Sequence, residues 1–112
     1  MFRECWLVSR RRPQYNPKEV ARLARSGRVV ATLRVVNWLV NHDYDAAETL
    51  TELLESLETS GIWLSSCRLA NGEIADEYAV RVDGEDWYLK FQVEDKRIVV
   101  NVWSCWWEGT AH

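Results

Sequence analysis

Trp87-Tyr88-Leu89-Lys90-Phe91-Gln92-Val93 alternates a strongly apolar side chain with a more polar one at every step. Period two is the signature of a strand with one face in a core and the other face free. Trp87, Leu89, Phe91 and Val93 belong to the core face; Tyr88, Lys90 and Gln92 belong to the other. Asp83-Gly84-Glu85-Asp86 precedes this stretch and Glu94-Asp95-Lys96 follows it, and both read as turns. Before the first turn, Ile74–Val82 is a second strand, joined through Asn71-Gly72 to a third, Ile62–Leu69. After the second turn comes a fourth, Arg97–Cys105.

Upstream of Gly61 the period changes to that of helices. Asp45-Ala46-Ala47-Glu48 is a capping box opening a helix with Leu50, Leu53, Leu54 and Leu57 buried and Glu48, Glu52, Glu55 and Glu58 outside. Val29–Val40 reads as a short extended piece and then a helix capped by Thr32. Leu33, Val36, Leu39 and Val40 are expected to face inward, and the helix to end near Asn41-His42-Asp43. Asn16-Pro17-Lys18-Glu19 starts the first helix, with Val20, Leu23 and Ala24 as its apolar stripe and Gly27 as its stop. Three helices followed by four strands predict an α+β domain, with helices on one face of a four-stranded, mainly antiparallel sheet. The 112 residues fit one domain, with residues 1–15 as a basic arm.

Charge is divided along the chain. Up to Arg34 there are nine basic residues against two acids; beyond it, five against fifteen. This polarity suggests an anionic partner for the first part and a basic one for the second. Arg10-Arg11-Arg12, with Lys18, Arg22 and Arg25 on the polar side of the first helix, would form a surface for nucleic acid. Three cysteines, Cys5, Cys67 and Cys105, and two histidines stand at no ligand spacing, so neither a disulfide framework nor a metal site is expected. The apolar run Cys5–Val8 is too short for a secretory signal, and the expectation is a reduced, cytoplasmic protein. His42 reads as a helix-end residue. Seven tryptophans exceed what a small core takes, so some belong to a working surface.

Pairing the strands through the shortest turns places Arg81 beside Tyr88, Asn101 beside Lys90 and Trp103 beside Tyr88 on the free face. Cations there would hold phosphates and rings would stack on unpaired bases. Tyr88, Lys90 and Arg81 could divide the roles of a metal-independent ribonuclease: proton transfer and stabilisation of a phosphorane.

The motif order from about Arg11 to Glu108 resembles the MqsR-type mRNA interferases, toxins of bacterial toxin–antitoxin pairs with a RelE-like fold. Arg11-Arg12-Pro13, Val20, Leu23, Gly27, Val29 and Thr32 follow the family's opening helix and link. Ile62-Trp63-Leu64-Ser65, Ile74-Ala75-Asp76-Glu77-Tyr78, Tyr88-Leu89-Lys90 and Ser104-Cys105-Trp106-Trp107 stand where its strand motifs stand. The resemblance implies an endoribonuclease acting on single-stranded mRNA without cofactor, restrained by a DNA-binding antitoxin of zinc-finger or helix-turn-helix type. The family's catalytic lysine, glutamine, tyrosine and second lysine fall on Leu64, Ala75, Tyr88 and Trp106, so only the tyrosine is kept. Lys90, Arg81 and Arg68 are the candidate replacements. Asn101, Trp103, Arg22 and Arg25 complete the expected RNA contacts, and Trp106 and Trp107 the expected antitoxin interface. A non-catalytic protein- or RNA-binding module is the alternative.

Overall fold

The computed structural model describes residues 5–8, 10–95 and 99–107, with backbone alone at Cys5 and Trp6. Its elements are β1 (Cys5–Val8), α1 (Pro17–Arg25), β2 (Val29–Ala31), α2 (Leu33–Asn41), α3 (Ala46–Glu55), α4 (Leu57–Ser60), β3 (Gly61–Leu69), β4 (Ile74–Val82), β5 (Glu85–Glu94) and β6 (Val99–Trp107). The expected turn residue Lys96 and strand start Arg97 lie outside the described residues.

The helices begin where side chains can satisfy their open amides. Asn16 accepts from the Lys18 N–H, Thr32 from Val35 and Asp45 from Glu48. Glu19 does not close its box; its carboxylate turns to Arg22 instead. Gly27, at φ 79°, lets the chain leave α1 in the left-handed conformation, with the Arg28 amide returning to Leu23 O. The stripe of α3 is buried as expected, but the helix breaks at Ser56, so Leu57 starts a separate turn. In α2 the inward side is Val35 and Leu39 with Trp38 partly covered, while Leu33 and Val40 are 74% and 56% exposed. This corrects the expectation that Leu33 and Val40 face inward: the apolar run is too continuous to mark one stripe, and the helix turns Val35 inward instead.

The sheet has six strands in the order β1-β3-β4-β5-β6-β2, not four. The four long strands form an antiparallel meander, β1 adds antiparallel to β3, and β2 runs parallel to β6. Both additions are edge strands, of four and three residues, too short to show a period of two, which is why the sequence pattern did not count them. The architecture is therefore α+β with a mixed sheet. The Val100 amide donates to Arg28 O and the Thr32 amide to Val102 O, tying the entry and exit of β2 to β6.

All four helices pack on one face. Val20, Leu23, Leu39, Leu53 and Leu54 meet Tyr78, Val80, Leu89, Phe91, Val100, Val102 and Cys105 in one core. Asp76, fully buried under the segment entering α1, accepts from the Gln14 and Tyr15 amides and the Ser66 hydroxyl. The other face carries a small cluster of Cys67, Leu69 and Ala75 with Trp103 laid against it. Cys67 is disulfide-bonded, contrary to the expectation from an odd cysteine count, whereas Cys105 is a free buried thiol. Among the described residues no helix is long and apolar enough to cross a membrane.

Candidate nucleic-acid interface

The face of the sheet that carries no helix is ordered in rows by strand pairing. Asp83 and Gly84, both at positive φ, make a two-residue turn that sets Val82 opposite Glu85. The next pairs are Arg81 with Asp86, Ala79 with Tyr88, and Glu77 with Lys90. On the other side Tyr88 faces Trp106, Lys90 faces Ser104, and Gln92 faces Asn101. Between the last two pairs β6 has one extra residue, Trp103, as a bulge.

One row crosses the sheet as Ser65, Glu77, Lys90 and Ser104. The Ser65 hydroxyl donates to Glu77 Oε2 at 2.8 Å. Lys90 and Ser104 are 6% and 5% exposed, although among the described residues no helix covers them. Arg34, on the first turn of α2, reaches over the β6 edge to Ser104 Oγ at 3.5 Å and Trp103 O at 3.4 Å. The neighbouring row is Ala79, Tyr88 and Trp106. Here the Tyr88 and Trp106 rings stack with centroids 4.4 Å apart and planes 18° from parallel.

Tyr88, Lys90 and Arg81 therefore share the free face, as strand alternation required, but Arg81 is not beside Tyr88. Between β4 and β5 the sequence pairing had counted four turn residues where the chain uses two, which moves Arg81 from Tyr88 to Asp86. Arg81 stands opposite Asp86, ion-paired to it at 3.0 Å, and donates to Gly84 O at 3.2 Å. Arg68 is opposite Ile74, on the helix-bearing side, with its guanidinium on Gly72 O. Asn101 is beside Gln92, not Lys90, and bonds Glu94 Oε1 at 2.7 Å. Trp103 is the bulged residue, not the partner of Tyr88, and donates to Gln92 Oε1 at 3.2 Å.

The basic helix lies on the opposite side of the molecule. Arg22 pairs with Glu19 and Arg25 with Glu58, so part of its charge is neutralised locally. Trp106 and Trp107 part company by alternation. Trp106 joins the free face, whereas Trp107 turns to the core and meets Trp38 edge-on at 6.1 Å. His42 ends α2, stacked on Trp38 at 4.0 Å.

Leu64, 51% exposed at the β3 irregularity, and Ala75, buried beside Cys67, offer no acid or base. Glu77, Ser104 and Arg34 are the site residues that sequence reasoning missed. Glu77 was visible only as one of fifteen downstream acids. Arg34 lies 70 residues from Ser104, a separation that no local pattern reports. Among the described residues no group of three or more His, Cys, Asp or Glu could hold a metal ion. Stacking on flat bases and attraction of anions are what this set of side chains can do. Comparison of the chain with protein-family models, with curated proteins and with solved structures finds no match.

Proposed function

We propose that the chain is a single-stranded-RNA-binding protein of the toxin–antitoxin kind, engaging RNA through the helix-free face of its sheet. The observation that carries this reading is the Tyr88–Trp106 stack beside Lys90, on a face that no helix covers. Stacked rings on a sheet accept unpaired bases of any sequence, each base contributing about 1–3 kcal/mol. The motif resemblance supports the toxin setting. A cognate antitoxin protein would then compete with RNA for Trp106. The test is fluorescence anisotropy with a labelled single-stranded oligoribonucleotide and its duplex form. Binding of the single strand, weakened by rising salt and absent for the duplex, is expected; equal affinity for both forms would overturn the reading.

Cleavage is the second reading, favoured by Glu77 standing opposite Lys90. A carboxylate there could take the 2′-hydroxyl proton as the 2′-oxygen bonds to phosphorus, the ammonium stabilising the pentavalent phosphorane, and return that proton to the 5′-oxygen as the P–O5′ bond breaks. Glu77→Gln would then abolish RNA cleavage and leave RNA binding intact. Intact transcripts after incubation with the unsubstituted protein would remove this second reading and keep the first.

A further inference from the structure

We infer that the Ala79 methyl is the floor of a slot for one flat ring, walled by Tyr88 and Ile62, into which an unpaired nucleobase inserts edge-on to the sheet and extends the Tyr88–Trp106 stack. The inference rests on the RNA reading above and adds to it the place and orientation of the bound base.

One row of the helix-free face runs Ile62, Ala79, Tyr88 and Trp106, a single residue from each of β3, β4, β5 and β6. Its two rings have centroids 4.4 Å apart and planes 18° from parallel. Rings lying flat on a sheet, side by side, could not come so close. At this separation they face each other, so both stand edge-on to the sheet with their planes along the strands. The face of Tyr88 turned from Trp106 therefore looks across to β4.

On β4 the row has only the Ala79 methyl, partly exposed between two larger neighbours. Ile62 rises on the far side and is 66% exposed. Neighbouring strands lie about 4.8 Å apart, close to the 4.4 Å step of the existing stack. A third ring over Ala79 would thus lie parallel to Tyr88 at stacking distance, with Ile62 against its other face. Any large side chain at position 79 would fill the same space from below.

The chemistry of the slot selects its occupant. Its walls are an aromatic face and a branched aliphatic side chain. Its two ends, two residues either way along β4 on the same face, are polar. One holds Arg81, ion-paired to Asp86 at 3.0 Å, and the other Glu77, which accepts from Ser65 at 2.8 Å. A nucleobase has this distribution, with flat apolar faces and edges that carry donors and acceptors. The stacking walls carry no preference among the bases.

The experiment compares a labelled single-stranded oligoribonucleotide with an abasic oligomer carrying the same phosphates. The unsubstituted protein should prefer the intact RNA by about tenfold or more. Ala79→Phe sets a ring of the protein's own in the slot, with a residue that suits a strand surface. It should weaken the intact RNA about tenfold and leave the abasic oligomer unchanged, whereas a damaged fold would weaken both. Ala79→Ser keeps the slot open and should bind as the unsubstituted protein does. Ile62→Ala lowers one wall and should weaken the intact RNA about threefold. If Ala79→Phe leaves both affinities unchanged, or weakens both oligomers alike, while Trp106→Ala still weakens the intact RNA, the slot is wrong and the RNA reading stands. If the unsubstituted protein binds neither oligomer, the RNA reading itself has failed.

Discussion

Tyr88 on β5 and Trp106 on β6 are cross-strand partners whose rings lie 18° from parallel, so each limits the rotamers of the other. Such a pair is ordered before any ligand arrives, which removes part of the entropy cost of binding. Replacing Trp106 by alanine should cost single-stranded RNA affinity about 1–3 kcal/mol. Tyr88→Phe keeps the ring and should change affinity less than about threefold, because stacking does not use the hydroxyl. Anisotropy titrations of both variants check the contrast.

Asp76 fastens the segment before α1 to the sheet. Its carboxylate accepts from Gln14 N and Tyr15 N at 2.9 Å each and from Ser66 Oγ at 2.6 Å. Asp76→Ala leaves these donors without their acceptor and should cost on the order of 3 kcal/mol in urea unfolding. Trypsin cleavage at Arg10–Arg12 should accelerate in the same variant, since the tether that holds the segment is gone.

Two tyrosines make opposite predictions. The Tyr15 hydroxyl donates to Ile74 O at 2.6 Å, whereas the buried Tyr78 hydroxyl meets no hydrogen-bond partner among the described residues. Tyr15→Phe should therefore lose about 1 kcal/mol, and Tyr78→Phe should be neutral or gain up to about 1 kcal/mol. Thermal unfolding of the two variants side by side measures the difference in sign.

Alkali should destabilise the protein through its buried acids. Burial pushes the Cys105 thiol up to about 12, and burial likewise raises Tyr15 and Tyr78 to about 12. In the unfolded chain these groups ionise from about pH 8.5 for the thiol and about 10 for the phenols. The stability they contribute is complete below those values and is lost as pH rises toward 12. Unfolding free energy should fall by about 1 kcal/mol per pH unit once the thiol begins to ionise. Cys105→Ala should flatten the decline between about pH 8.5 and 10, which urea titrations at several pH values would show.

Face assignments were legible in the sequence because alternation survives any even shift of register. Tyr88 and Lys90 stay outside and Leu89 and Phe91 inside whether the preceding turn holds two residues or four. The helix starts were equally plain, since Asn16, Thr32 and Asp45 cap through chemistry contained in a few adjacent residues. Partnerships across strands were not legible. They depend on the positive φ of Asp83 and Gly84 and on the bulge at Trp103, neither of which alters the hydrophobic pattern. Arg34 was hidden for a different reason: the extended piece before α2 was legible, but its parallel pairing with β6, which delivers Arg34 to Ser104, joins residues some seventy apart.

β6 is made after every other described element, yet it lies between β5 and β2 and supplies Val100, Val102 and Cys105 to the core. During translation the helices and the first five strands must wait, with apolar surface exposed, until residues 99–107 leave the ribosome. Closure then joins positions some seventy residues apart in one step, a long loop to bring together. The nascent chain is thus most open to chaperones and proteases until β6 has emerged, and a truncation within β6 would act less like shortening one strand than like withdrawing a keystone.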